Sequence, residues 1–199
     1  METEKYNPNH HEPSAKTMRE ALKGFKCIEP QILKSLRAKG IRYFEDHDDN
    51  QILHHLDRHN GIDSMVIYDN NQIRFMANRI QYNQNYKTFT VRETFLGSKN
   101  TEYQKRKDAI NDGYAYPHLT SQVYLNKKTN SILSMAFVRT SDLYEYIDDH
   151  QEELKYFVAK DGGLENGFIV VDWQKLIDDG VLLVVYEKGE TTYHNNKYR

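Results

Sequence analysis

The sequence predicts an α/β protein with N-terminal helices, a central mixed β-sheet and a C-terminal β-α-β addition. Three observations carry that reading. Residues 14–60 place apolar side chains at helical spacing, whereas residues 61–125 switch to the two-residue period of strands, interrupted by one helix-type segment. Beyond Gly162-Gly163 come a short strand, a helical turn and an apolar strand. A chain of 199 residues is long enough to bury a sizeable core. We divide it into a mobile segment (1–13), a helical section (14–60), a mixed-sheet core (61–150) and the addition with its polar tail (151–199), all in one compact domain.

Residues 1–13 are polar, with Pro8 and Pro13. Thr17 and Glu20 have capping-box spacing ahead of Met18, Leu22 and Phe25, which predicts a first helix. Pro30 predicts the start of a second, with Ile32, Leu33 and Leu36 inward and Gly40 as its stop. Residues 41–44 read as an extended link. Asp48 or Asp49 then caps a third helix carrying Ile52, Leu53 and Leu56.

Gly61 to Gln81 is the most informative stretch. Asp63 heads a β-type run, Asp69-Asn70-Asn71 makes a turn, and a second run places Ile73, Phe75 and Ala77 on one face. That face becomes polar at Arg79 and Gln81, the pattern of a site cut into a sheet rim. Thr88–Phe95 is a third strand, Thr101–Asn111 a helix ended by Gly113, and Leu119–Leu125 and Ile132–Val138 two more strands. Three strands in a meander, a crossover helix and a further strand make a mixed sheet. An acidic helix starts near Ser141 and runs on through Glu153, and its carboxylates read as a solvated face. Phe168–Val171, Trp173–Ile177 and Val181–Tyr186 complete the prediction, with the last dozen residues frayed.

Composition narrows the function classes. Hydrophobic residues are 38% and charged residues 28%, and no apolar run approaches the roughly 18–20 residues of a membrane span. The N-terminal residues lack the apolar stretch of a signal peptide. A lone cysteine, Cys27, excludes an intramolecular disulfide and a multi-cysteine zinc site; its place by an apolar helical stripe predicts a core thiol. These features predict a cytoplasmic protein with no membrane partner. His55 and His59 have a metal-sharing spacing, with His47 and His54 nearby, but no HExxH motif accompanies them.

Charge is distributed unevenly. Arg74, Arg79, Lys87, Arg92, Lys99, Lys105, Arg106 and Lys107 stand against Glu93 and Glu102 in one segment, a surplus of six. With a net charge of −2 overall, the remainder carries −8. Phe75, Tyr82, Tyr86, Phe89, Phe95 and Tyr103 are interleaved in the basic segment. Cations that neutralise phosphates beside rings that stack on bases suit a nucleic-acid partner, with DNA ahead of RNA.

The order helix, three strands, helix, strand between Asp49 and Leu125 resembles the αβββαβ core of the PD-(D/E)XK nuclease superfamily, which includes restriction enzymes and Holliday-junction resolvases. Gly61-Ile62-Asp63 looks like its first motif, and Ala77-Asn78-Arg79 falls where the acid-x-lysine motif should be. The chain departs from the family there, with Ala77 at the acid position and Arg79 at the lysine position. The resemblance implies an endonuclease or resolvase-like protein using Mg²⁺ or Mn²⁺. Asp63 would hold the metal with Glu93 as a displaced second carboxylate, Gln81 would orient water or metal, and Arg79 would contact the scissile phosphate. Arginine stabilises phosphoryl charge but is a poor proton acceptor. The alternative is therefore an inactive nuclease-derived module of phage or mobile-element type that binds nucleic acid or inhibits a protein. Cleavage of both strands would imply a homodimer.

Overall fold

The computed structural model describes residues 15–44, 52, 53, 56, 60–95, 101–161 and 164–195. Helix α1 (Ala15–Leu36) buries Phe25, Ile28, Ile32 and Leu36 along one stripe. The two helices expected on either side of Pro30 are this single helix. Pro30 lies in its interior on the exposed side, so it removes a backbone hydrogen bond without breaking the stripe that packs. Cys27 is exposed rather than a core thiol. The third predicted helix, with His47, His54, His55 and His59, lies largely outside the described residues.

Among the described residues ten strands follow α1. β1 (Gly40–Tyr43) replaces the expected link and pairs antiparallel with β2 (Ser64–Ile67), which pairs antiparallel with β3 (Ile73–Tyr82). The predicted turn between β2 and β3 closes with Asn71 N donating to Tyr68 O (3.0 Å) and Asn71 left-handed at φ 60°. β4 (Thr88–Phe95) leads to α2 (Glu102–Asp112), ended by a left-handed Gly113, and then to β5 (Leu119–Leu125) and β6 (Ile132–Arg139). α3 (Thr140–Asp149), β7 (Lys155–Asp161), β8 (Leu164–Asp172), α4 (Trp173–Asp178), β9 (Leu182–Glu187) and β10 (Glu190–Tyr193) complete the chain.

These strands form a mixed seven-stranded sheet, ordered β1-β2-β3-β5-β6-β9-β10, and a three-stranded sheet, β4-β8-β7. The predicted three-strand meander stops after β3. Both edges of β3 are taken, by β2 and by the parallel strand β5, so β4 has no edge to join. Asn83 and Lys87 adopt left-handed conformations ahead of it, and Lys87 O accepts from Trp173 N at 2.9 Å. β4 then buries Phe89 and Val91 beside Ile169, Val171 and Trp173.

The large sheet is packed on both faces. Val66, Met76, Leu119, Val123, Met135 and Phe137 face α1, each fully buried. α1 comes so close at Gly24 that an added Cβ would lie 2.6 Å from the Tyr82 hydroxyl. On the other face Tyr124, Ala136, Val138 and Leu182 meet β4, β8, α3 and α4. Two C-terminal strands differ from expectation. α3 stops at Asp149, and β7 occupies residues read as lying beyond a longer helix. The tail expected to fray forms β10, joined to β9 by Lys188-Gly189 at φ 53° and 88°, the left-handed pair of a tight hairpin.

Candidate functional site

The face of β3 opposite α1 carries Arg79. Met76, Ile80 and Tyr82 pack toward the helix, while the odd-numbered residues turn the other way. The apolar half of that face is not a core face: Ile73 is 52% exposed. The polar half is where side chains converge.

Gly61 sets the entrance. It is left-handed at φ 58°, and the position of a Cβ would lie 2.6 Å from Arg106 Nη2, so a side chain there would meet both strain and a clash. Asp63 follows at the head of β2. Its N–H donates to Met76 O (3.1 Å), its carbonyl accepts from Phe44 N (2.9 Å), and its Oδ2 accepts from Asn78 N at 2.5 Å. Asn78 Nδ2 in turn donates to Ser64 Oγ at 2.9 Å. The carboxylate thus joins β2 to β3.

Arg79 spans three elements. Nη1 donates to the carbonyl of Thr90 and, at 2.9 Å, to its hydroxyl, while Nη2 donates to Glu102 Oε2 at 2.5 Å. Glu102 is the first residue of α2 and also accepts from Arg92 N at 3.4 Å, with Arg106 Nη2 4.0 Å from its other oxygen. Thr101, immediately before, donates to the carbonyls of Arg92 (3.0 Å) and Glu93 (2.5 Å). Glu93 sits at the irregularity between Arg92 and Thr94 where β4 shifts register against β8.

Electrostatics explain why this cluster holds its charges. Burial opposes ionisation of Arg79, but Glu102, with smaller help from Tyr144 and Asp63, raises its pKa above the ordinary arginine value. Burial likewise opposes ionisation of Glu102, and Arg79 and Arg106 together pull its pKa below the ordinary glutamate value. Arg92 shifts the other way: burial lowers its pKa, Glu102 opposes the fall, and the like charge of Arg79 adds to it. Three guanidiniums are therefore grouped with two carboxylates, Glu102 and Asp63, a surplus of one positive charge. Side-chain exposure is 29% for Arg79, 24% for Glu102 and 7% for Arg106, so the cluster is reached through its Arg79–Glu102 side. Arg106 Nη1 and the hydroxyl of buried Tyr144 have no hydrogen-bond partner among the described residues.

Asp63 and Arg79 thus fall in one electrostatic neighbourhood. Gln81 lies two residues further along β3, opposite Tyr124 of β5, with a buried Oε1 that lacks a hydrogen-bond partner among the described residues. Among those residues, no three His, Cys, Asp or Glu side chains are grouped to hold a cation. Asp63 has one oxygen on Asn78 N–H, and Glu102 binds guanidiniums. Of the two carboxylate residues expected to hold Mg²⁺ or Mn²⁺, Asp63 accepts from Asn78 N–H and Glu93 offers its backbone carbonyl to Thr101.

The residues of the basic segment take different partners. Arg92 and Arg106 belong to the cluster, Lys87 pairs with Glu187 (2.7 Å), and Lys107 pairs with Asp148 (2.9 Å) above the Tyr103 ring. Lys105 is exposed, and Arg74 lines an open hollow of about 260 Å³ with Arg37, Tyr68 and Gln72. Lys99 lies outside the described residues. Sequence reasoning missed Glu102, Thr90 and Tyr144. The available signal was Thr101-Glu102 at a helix start, the one acid ahead of Lys105-Arg106-Lys107. Compared with protein-family models, with curated proteins and with solved structures, the chain gives no match in any of the three. Among the described residues no helix is long and apolar enough to cross a membrane.

Proposed function

We propose that this chain is a nucleic-acid-binding module of nuclease-like kind, which engages a phosphodiester at Arg79, Arg92 and Arg106. The observation that supports the reading is the grouping of three partly or wholly buried guanidiniums around Glu102. Arg79 and Arg92 repel one another, and an incoming phosphate would relieve that repulsion while accepting charge-assisted hydrogen bonds. Glu102 holds the arginines in place before the ligand arrives, which lowers the ordering cost of binding.

Binding of labelled single-stranded and duplex oligonucleotides across a salt series tests this. Affinity should fall steeply with salt, because each neutralised phosphate releases counterions. Arg92→Gln should weaken binding and reduce the salt slope by about one. Binding that is absent at low salt, or unchanged in Arg92→Gln, would remove the reading. Metal-dependent endonuclease activity is the competing outcome: cleavage with Mg²⁺ or Mn²⁺ that stops with chelator and is lost in Asp63→Asn would restore Asp63 and Glu93 as metal ligands. A chain that binds no nucleic acid, but captures a protein through this surface, would make it a protein inhibitor instead.

A further inference from the structure

The outer face of the three-stranded sheet carries an aromatic row beside the arginine cluster. Arg92 pairs across the sheet with Phe168, and Phe168 with Phe157, so register places all three on one face. The row is in contact along its length. The Arg92 guanidinium lies 5.8 Å from the Phe168 ring centre, and the Phe157 and Phe168 rings stack at 5.1 Å with 15° between their planes. The opposite face of the same strands is the core, with Val91, Ile169 and Val171 buried.

β7 keeps large apolar side chains in solvent. Phe157 is 46% exposed on the face of the row, while Tyr156 (49%) and Val158 (46%) alternate to the other face of β7, which among the described residues is an edge strand paired with β8. The Phe157–Phe168 pair, with Phe157 46% exposed and Phe168 half-buried, leaves aromatic surface open to a contact. Their neighbours select the occupant. Arg92 caps one end of the stacked rings and Arg79 lies within electrostatic reach of it, so a ligand that is both flat-faced and anionic complements the row.

We infer that the Phe157–Phe168 row is a stacking platform for unpaired bases, and that the module's ligand is single-stranded nucleic acid with its backbone on the arginine cluster. The inference rests on the phosphate reading of that cluster and adds the strandedness of the ligand. Bases inside a duplex offer no open face to a flat ring, whereas unpaired bases stack on it without regard to sequence.

The test compares an oligo-dT strand with a duplex of equal length on the full chain, with sedimentation of the free protein alongside. Wild type should bind oligo-dT at least about 10-fold more tightly than duplex. Phe157→Ala should lose about 10-fold on oligo-dT and little on duplex, and Phe157→Trp should keep binding and show fluorescence quenching on addition of oligo-dT. Equal binding of both ligands, or oligo-dT binding unchanged in Phe157→Ala, overturns the platform. If Arg92→Gln still weakens binding in that case, the cluster reading survives alone. No binding of either ligand by wild type overturns both. A change of oligomeric state in Phe157→Ala with nucleic-acid binding intact assigns the row to a second copy of this chain and likewise overturns the platform.

Discussion

The two faces of the seven-stranded sheet are built for different tasks. The face against α1 is mostly apolar, with Val66, Met76, Leu119 and Phe137 excluded from solvent and the polar residues Ser64, Asn78 and Ser121 hydrogen-bonded to one another. The face toward the three-stranded sheet shares its space between an apolar core and a charged cluster, Arg79 with Glu102 and Arg106. Burying charge is costly unless partners repay it, so the second face spends stability on a fixed arrangement of guanidiniums. The difference teaches where to look for recognition: a charged group retained between two sheets needs a reason that packing alone does not supply.

Substitutions should separate the faces. The largest effect is expected for Phe137→Ala on the α1 face, which leaves a cavity and should cost about 3–5 kcal/mol in urea unfolding. The protein that remains folded should bind nucleic acid as wild type does. Loss of binding out of proportion to loss of folded protein would break the division of labour.

Glu102→Gln comes next. It removes a carboxylate, itself 24% exposed, that holds Arg79, and a loss of about 1–3 kcal/mol is expected after allowance for solvent. The acid limb of stability should change with it. Because the folded-state pKa of Glu102 lies below 4.5, the pair contributes stability above that pH and loses it as pH falls through the depressed value. Urea midpoints between pH 5 and 3 should therefore fall less steeply in Glu102→Gln than in wild type. Parallel pH profiles would show that the pair contributes nothing.

A smaller effect is expected at His118, beside the exposed end of β3. Its Nδ1 accepts from Phe75 N at 3.0 Å, which requires an unprotonated nitrogen. Burial, and then Arg74, lower its pKa from 6.5. The sign follows from this: stability from His118 is present above pH 6.5 and declines as pH falls through the lower folded value. An imidazole NMR titration should show a midpoint below 6.5. A midpoint above 6.5 would contradict the hydrogen bond.

Local pattern made much of the fold legible. Alternation located β3 and β4; β5, β6 and β9 were also placed from the sequence, and Gly113 marked the end of α2. Partner choice was not legible, because a strand's neighbours depend on which edges are already occupied. Nothing within Thr88–Phe95 says that β5 takes the edge of β3 that a meander would have given to β4. β7 was hidden for a different reason. Its consecutive Tyr156, Phe157 and Val158 do not alternate with polar residues, because the strand keeps apolar groups in solvent. At the site, Asp63 and Arg79 stood out by spacing, whereas Glu102 became visible only when α2 folded back on β4.

One measurement sets the central claim against the comparison most directly. Arg92→Gln in the cluster and Lys128→Gln in the exposed β5–β6 turn remove the same charge from two regions of the molecule. Oligo-dT affinity should be measured for both variants across the same salt series. The account predicts that Arg92→Gln binds more weakly with a salt slope reduced by about one, while Lys128→Gln follows wild type. Equal losses from both substitutions would mean that net charge alone attracts the ligand, and an unaffected Arg92→Gln would mean that the cluster only holds the fold together.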